Sequence, residues 1–157
     1  MPLARTADLV AAAYRAGSGV LAFNVITLEH AEAIVAGAEK ANRPVILQIS
    51  ENTVKFHHGR LAPLAAATTA VAAAAAIPAS VHLDHVEDEK LLHSGAENGA
   101  SSAMFDASKL DYQANVTATK AAADWAHQRG LFLEAELGEV GGKDGAQFLL
   151  QVRDFYG

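Results

Sequence analysis

The sequence predicts an α/β fold on a parallel sheet, a TIM-type (β/α)8 barrel of which about five βα units are present. Three observations predict it. Short β-rich apolar runs alternate with stretches of helical periodicity. Each run ends in polar or ionisable residues. No linker or shift of composition interrupts the alternation, so residues 1–157 read as a single domain.

The strand candidates are "GVLAFNV" (19–25), "PVILQIS" (44–50), "ASVHLDH" (79–85), "SSAMFD" (101–106) and "LFLEAELG" (131–138). Between the first two, "TLEHAEAIVAGAEKAN" (27–42) puts Leu28, Ala31, Ile34, Val35 and Ala38 on one helical face. Glu29, Glu32, Glu39 and Lys40 stay on the other, and Asn42 with Pro44 beyond it marks the exit. The alanine-rich run 61–80 is broken by Pro63 and Pro78. Alanine is only marginally apolar, so that run reads as a packed helix rather than a membrane span. In 111–130 the basic residues gather in the last turn and Gly130 follows, as at a helix C-terminus. Strand–helix alternation of this kind requires right-handed crossovers and parallel pairing.

The strand exits carry the chemistry: Asn24, Gln48 with Ser50, Asp84 with His85, Asp106, and Glu134 with Glu136. An open doubly wound sheet concentrates its ligand edge at one switch point, whereas a barrel builds its site around the whole C-terminal rim. Polar endings on all the strands favour the barrel.

Composition excludes several classes. The chain has no cysteine, so there is no disulfide framework, and any metal must take nitrogen and oxygen ligands. A formal charge of −6 with no basic stripe gives nucleic acid nothing to bind. The N-terminus "MPLARTADL" lacks the basic-then-apolar pattern of a signal peptide. The expectation is a cytoplasmic protein with no membrane and no nucleic-acid partner.

"VHLDHVEDE" (81–89) sets two imidazoles and a carboxylate at the end of an apolar run, a costly combination unless their desolvation is compensated. By strand alternation His82 and Asp84 face one way, as do Glu134 and Glu136. Two carboxylates on one buried face need a cation or a retained proton, and no Arg or Lys lies on that strand. The alternative is that Glu134 caps a neighbouring backbone and Glu136 reaches solvent. His85 stays open between a metal ligand and a hydrogen-bonded core histidine. His30, His57, His58, His93 and His127 read as surface or helix-end residues.

Taken in order, "GVLAFNV", "EHAEAIVAGAEKANRPVILQIS", "VHLDH", "SSAMFDASKLDY" and "LEAELGEVGGKDG" resemble the class II, metal-dependent ketose-bisphosphate aldolases over residues 5 to 145. The resemblance implies zinc-dependent aldol cleavage of a ketose bisphosphate such as fructose 1,6-bisphosphate, with a phosphorylated sugar as substrate. It implies His85 as a zinc ligand and Asp84 as the acid/base for the hydroxyl at the cleaved bond. Asp106 and Glu136 become ligands of a second divalent cation, and Asn24 and Ser50 lie near the substrate. Asp144, after "GGK", occupies the place of the mobile-loop carboxylate that takes the carbon-bound proton. The chemistry agrees, because breaking a carbon–carbon bond beside a ketone leaves an enolate whose charge a Lewis-acidic cation stabilises.

The same resemblance predicts that this chain carries only part of the barrel, since eight units take about 250 residues. The family's later zinc histidines and phosphate-binding segments have no matching positions, and 146–157 matches nothing in the family. The further expectations are a homo-oligomer, with two rival readings: an impaired half-barrel acting only as an oligomerising module, or an aldolase for tagatose bisphosphate or another phosphorylated ketose. One regularity must bend. Adjacent strand residues point oppositely, so β-structure has to twist or end at Asp84–His85 for both to reach one site.

Overall fold

Five parallel strands stand side by side in the order in which they occur along the chain. The structure, a computed structural model, describes residues 3–138. β1 (Leu21–Asn24), β2 (Val45–Ser50), β3 (Ala79–Val86), β4 (Ser102–Phe105) and β5 (Phe132–Ala135) form one sheet, and each neighbouring pair is parallel. A doubly wound sheet reverses its strand order at the switch point. This one does not, so it is an arc of a (β/α) barrel, as expected. Four of the strands are shorter than the apolar runs that announced them, while β3 extends one residue past its run to Val86.

Six helices accompany the strands among the described residues: α1 (Thr6–Arg15), α2 (Leu28–Ala41), α3 (Glu51–Phe56), α4 (Leu61–Ala74), α5 (Glu89–Glu97) and α6 (Tyr112–His127). α2 opens on a capping box between Thr27 and His30 and closes on Asn42, whose left-handed φ of 50° ends the helix. α6 opens on Asp111, whose side chain accepts from the backbone N–H of Ala114 at 2.9 Å. The alanine-rich run is helical only to Ala74, and Ala79 already opens β3. Pro63 falls in the first turn of α4, where the missing N–H leaves no helical bond unmade. α1, α3 and α5 were not singled out by periodicity. Among the described residues, no helix is long and apolar enough to cross a membrane.

The two-residue period of the strands sorts the sheet. Val45, Leu47, Ile49, Val81, Leu83, Ala103, Phe105 and Leu133 face the helices and pack with Val35, Leu64, Ala72, Leu92 and Ala126. The other face carries Gln48, Ser50, Ser80, His82, Asp84 and Ser102 and lines the lumen. β1 is an edge among the described strands, with Leu21 and Phe23 exposed. Beside it, α1 and α2 enclose an apolar groove of ≈ 720 Å³ lined by Leu9, Ala13, Leu21, Phe23, Ile34 and Pro44.

α5 lies unusually close to β3. A Cβ at Gly95 would sit 2.2 Å from Cδ1 of Leu83, a side chain only 1% exposed. Because Leu83 has nowhere to swing, Gly95→Ala is expected to destabilise the chain by about 1–3 kcal/mol through overpacking. Urea denaturation of parent and variant checks this, and equal midpoints would show that α5 can shift without cost.

Candidate metal centre

β3 departs from strand geometry where the sequence required it. His82 pairs with Ser102 and Leu83 with Ala103, but the next partner of Phe105 is Val86. Three residue steps on β3 therefore oppose two on β4, which is a β-bulge. Inside it His85 takes a left-handed φ of 50°. Histidine visits that region more readily than most residues, yet the conformation still costs on the order of 1–3 kcal/mol. The bulge breaks the alternation, so Asp84 stays on the lumen face while His85 reaches the rim.

Two sets of contacts hold that backbone. Nδ1 of His85 lies 2.9 Å from Oδ2 of Asp106 and 3.5 Å from Oε2 of Glu136. On the other side, the nearly buried Glu51 accepts the backbone N–H groups of Glu87 at 2.7 Å and Asp88 at 3.3 Å. Glu51 is also paired with Lys55 at 2.7 Å. Burial disfavours its charge, but Lys55 and those two N–H groups outweigh burial and lower its pKa. Glu51 thus pins the turn that follows the bulge to the start of α3.

His85, Asp106 and Glu136 offer ligand atoms that all lie within 4.8 Å of one another. Asp106 follows β4 and Glu136 follows β5, so three neighbouring strand exits supply the group. One imidazole nitrogen and two carboxylates suit a divalent cation such as zinc, and no thiolate is needed. Without a cation, His85 balances the carboxylates. Burial works against its proton, but the hydrogen bond to Asp106 and the charges of Asp84, Asp106 and Glu136 prevail and raise its pKa. Asp106 moves the other way: burial opposes ionisation, while bonds from Ser108 and His85 lower its pKa.

Asp84 sits beside this cluster as the last lumen-facing residue of β3. Burial raises its pKa, His85 pulls it down and Asp106 pushes it up, with a net rise. Nε2 of Gln48 donates to Oδ2 of Asp84 at 3.0 Å and to Oδ1 of Asn24 at 2.9 Å. That bridge joins three strand ends into one polar row.

The other expected site residues fall as follows. Asn24 ends β1 at the rim, in contact with Gln48. Ser50 ends β2, and its hydroxyl accepts from Thr53 N at 3.1 Å as the cap of α3. Asp144 lies outside the described residues. Glu134, two residues before Glu136 on β5, is not part of the cluster. Gln48 was visible only as one polar strand ending among several, although alternation from Ser50 already put it on the lumen face. Glu51 had no local signal, because its partners are 36 and 37 residues away. Three of the remaining histidines have structural contacts: His30 caps α2, His57 meets the carbonyl of Ile26 at 2.6 Å, and His93 stacks on Trp125.

Comparison with known proteins identifies the family and agrees with the fold. The family described as fructose-bisphosphate aldolase class-II matches residues 4–154, reaching into the 146–157 segment that the motifs had left unassigned. The fructose-bisphosphate aldolase of Thermus caldophilus is 37% identical over 126 residues, covering 80% of this chain and 40% of that protein. That of Staphylococcus aureus is 32% identical over 145 residues, covering 92% of this chain and 51% of that protein. The chain thus spans about half the length of the curated relatives it matches or less. Among solved structures, the YdjI aldolase of Escherichia coli K12 superposes with a TM-score of 0.80 at 29% identity, over 87% of this chain and 52% of that one. The fructose-bisphosphate aldolase of Campylobacter jejuni gives 0.70 at 26% identity, over 88% and 46%.

Behind the rim, His82 is 5% exposed, and burial, helped by the charge of His85, lowers its pKa from 6.5 to about 4. Between those values the unfolded chain binds a proton that the folded chain refuses, so stability is full above pH 6.5 and is lost as pH falls toward 4. His82→Gln should remove up to about 1 kcal/mol per pH unit of that slope. Denaturant midpoints measured across the interval compare the two, and identical slopes would contradict the buried neutral imidazole.

Proposed function

This chain belongs to the class II fructose-bisphosphate aldolase family, and from that membership we propose that it takes part in metal-dependent aldol cleavage and condensation of a ketose bisphosphate. The substrate of this reading is fructose 1,6-bisphosphate, split to glycerone phosphate and glyceraldehyde 3-phosphate. The observation that carries it is the convergence of His85, Asp106 and Glu136 on one rim with Asp84 beside them. Tagatose bisphosphate is the nearest alternative. Phosphorylated sugars do not cross membranes unaided, so the reaction is assigned to the cytoplasm.

In this reading His85 binds zinc, and Asp106 with Glu136 holds a second divalent position. A bound cation supplies Lewis acidity to the carbonyl next to the bond that breaks. Asp84 holds the proton of the substrate hydroxyl, a task suited to a carboxylate whose burial already favours protonation. Gln48 keeps Asp84 and Asn24 aligned at the rim. Asn24 and Ser50 contact the sugar, and Asp144 takes the carbon-bound proton. The exposed β1 edge and its apolar groove support a second reading, in which copies of the chain self-associate there and the chain serves as an oligomerising module.

Two variants separate the roles. His85→Ala should weaken zinc binding by about 100-fold or more, beyond what loss of an outer-shell partner costs. Calorimetric titration reads this directly, and unchanged affinity would remove His85 from the metal site. Asp84→Ala should leave zinc affinity nearly intact while lowering retro-aldol turnover by about 10²–10⁴-fold, the usual worth of a general acid–base group. A parent chain that binds zinc and self-associates but never cleaves a ketose bisphosphate would favour the module.

A further inference from the structure

Below the rim, the lumen holds a chain of hydroxyls that leads from α1 to His82. Ser102 Oγ donates to Thr6 Oγ1 at 2.7 Å, and Thr6 Oγ1 donates to Ser80 Oγ at 2.9 Å. Thr6, Ser80, Ser102 and His82 are all buried, at 3%, 0%, 0% and 5% exposure. Nδ1 of His82 meets Ser102 Oγ at 2.7 Å. A serine hydroxyl has one hydrogen, and that of Ser102 is already given to Thr6. The Nδ1–Ser102 contact is then a hydrogen bond only if Nδ1 carries the hydrogen.

We propose that this hydroxyl chain locks His82 as the Nδ1–H tautomer, which leaves a bare Nε2 acceptor 4.0 Å from Oδ1 of Asp84 and makes His82 a positioning residue for the carboxyl group of Asp84. With Gln48 donating to Oδ2, the two oxygens of Asp84 face unlike neighbours: a donor on one side and an acceptor on the other. The Asp84 carboxyl group is thereby held between Nε2 of Gln48 and the ring of His82. Burial of His82, which keeps the ring neutral at ordinary pH, supports the picture.

The tautomer stands on geometry alone, while its service to Asp84 rests on the aldolase reading above. Nitrogen-15 NMR of the histidine-labelled full chain at neutral pH distinguishes the two, because it reads the ring without any turnover. The expected result is a protonated Nδ1 and a bare Nε2 at His82; the reverse assignment overturns the proposal. Thr6→Val keeps the volume but removes the acceptor, releasing the Ser102 hydrogen toward Nδ1. The His82 signals should then move to the Nε2–H pattern, and an unchanged spectrum overturns the claim that the chain of hydroxyls sets the tautomer. Thr6→Ala, which also removes the hydroxyl that accepts from Ser102, provides the same readout if Thr6→Val does not fold. A merely structural His82 would keep one tautomer in all three proteins. Where cleavage is measurable, His82→Gln, whose amide oxygen can stand for the bare Nε2, should retain at least tenfold more kcat than His82→Phe. Equal kcat would overturn the positioning role and leave the tautomer assignment untouched.

Discussion

Everything at the rim depends on how one strand breaks its own alternation. Parallel strands between a helical layer and a lumen must put every second residue on each side, and β1 to β5 obey this down to single positions. β3 obeys it through Leu83 and then inserts an extra residue, with His85 in the left-handed region. Without that insertion His85 would point toward α4 and α5, into the apolar layer with Leu83. The backbone conformation is unfavourable by itself, and it persists because Asp106 holds the side chain while Glu51 holds the chain just beyond it.

The charges explain why the arrangement suits a cation. Asp84, Asp106 and Glu136 surround a single imidazole, and two of these carboxylates reach it within 3.5 Å. A proton on His85 balances only part of that negative potential, and its pKa rises accordingly. A divalent ion would supply more positive charge in the same place and would displace that proton. The environments of Asp84 and Asp106 diverge for the same reason. One is raised by burial and the other lowered by its hydrogen bonds, so neighbouring carboxylates become suited to different tasks.

Much of this was legible in the sequence because it is encoded locally. The strands were written as β-rich runs, and α2 and α6 as amphipathic periods with exit signals. The convergence of His85, Asp106 and Glu136 followed from the strand ends together with the family motifs. The bulge was legible as a contradiction, since Asp84 and His85 could not share a site on a regular strand. What escaped depends on distant partners. Glu51 looks like an ordinary first-turn acid until Glu87 and Asp88 fold against it. Ser80 and Ser102 look like poor strand residues until Thr6 arrives to bond them. The short helices α1, α3 and α5 gave too few turns for a period to stand out.

Thr6 also bears on the order of events during synthesis. It is made before β3 and β4, and the hydroxyls that satisfy it lie 74 to 96 residues later. α1 therefore emerges ahead of both strands and docks late, after β3 and β4 exist to receive it. Until then its buried face, with Leu9, has no sheet to cover it, and the closure of so long a loop is slow. A segment made before β3 and β4 thus seals the floor of the lumen only after both are in place, which makes its docking a marker of folding completed rather than begun.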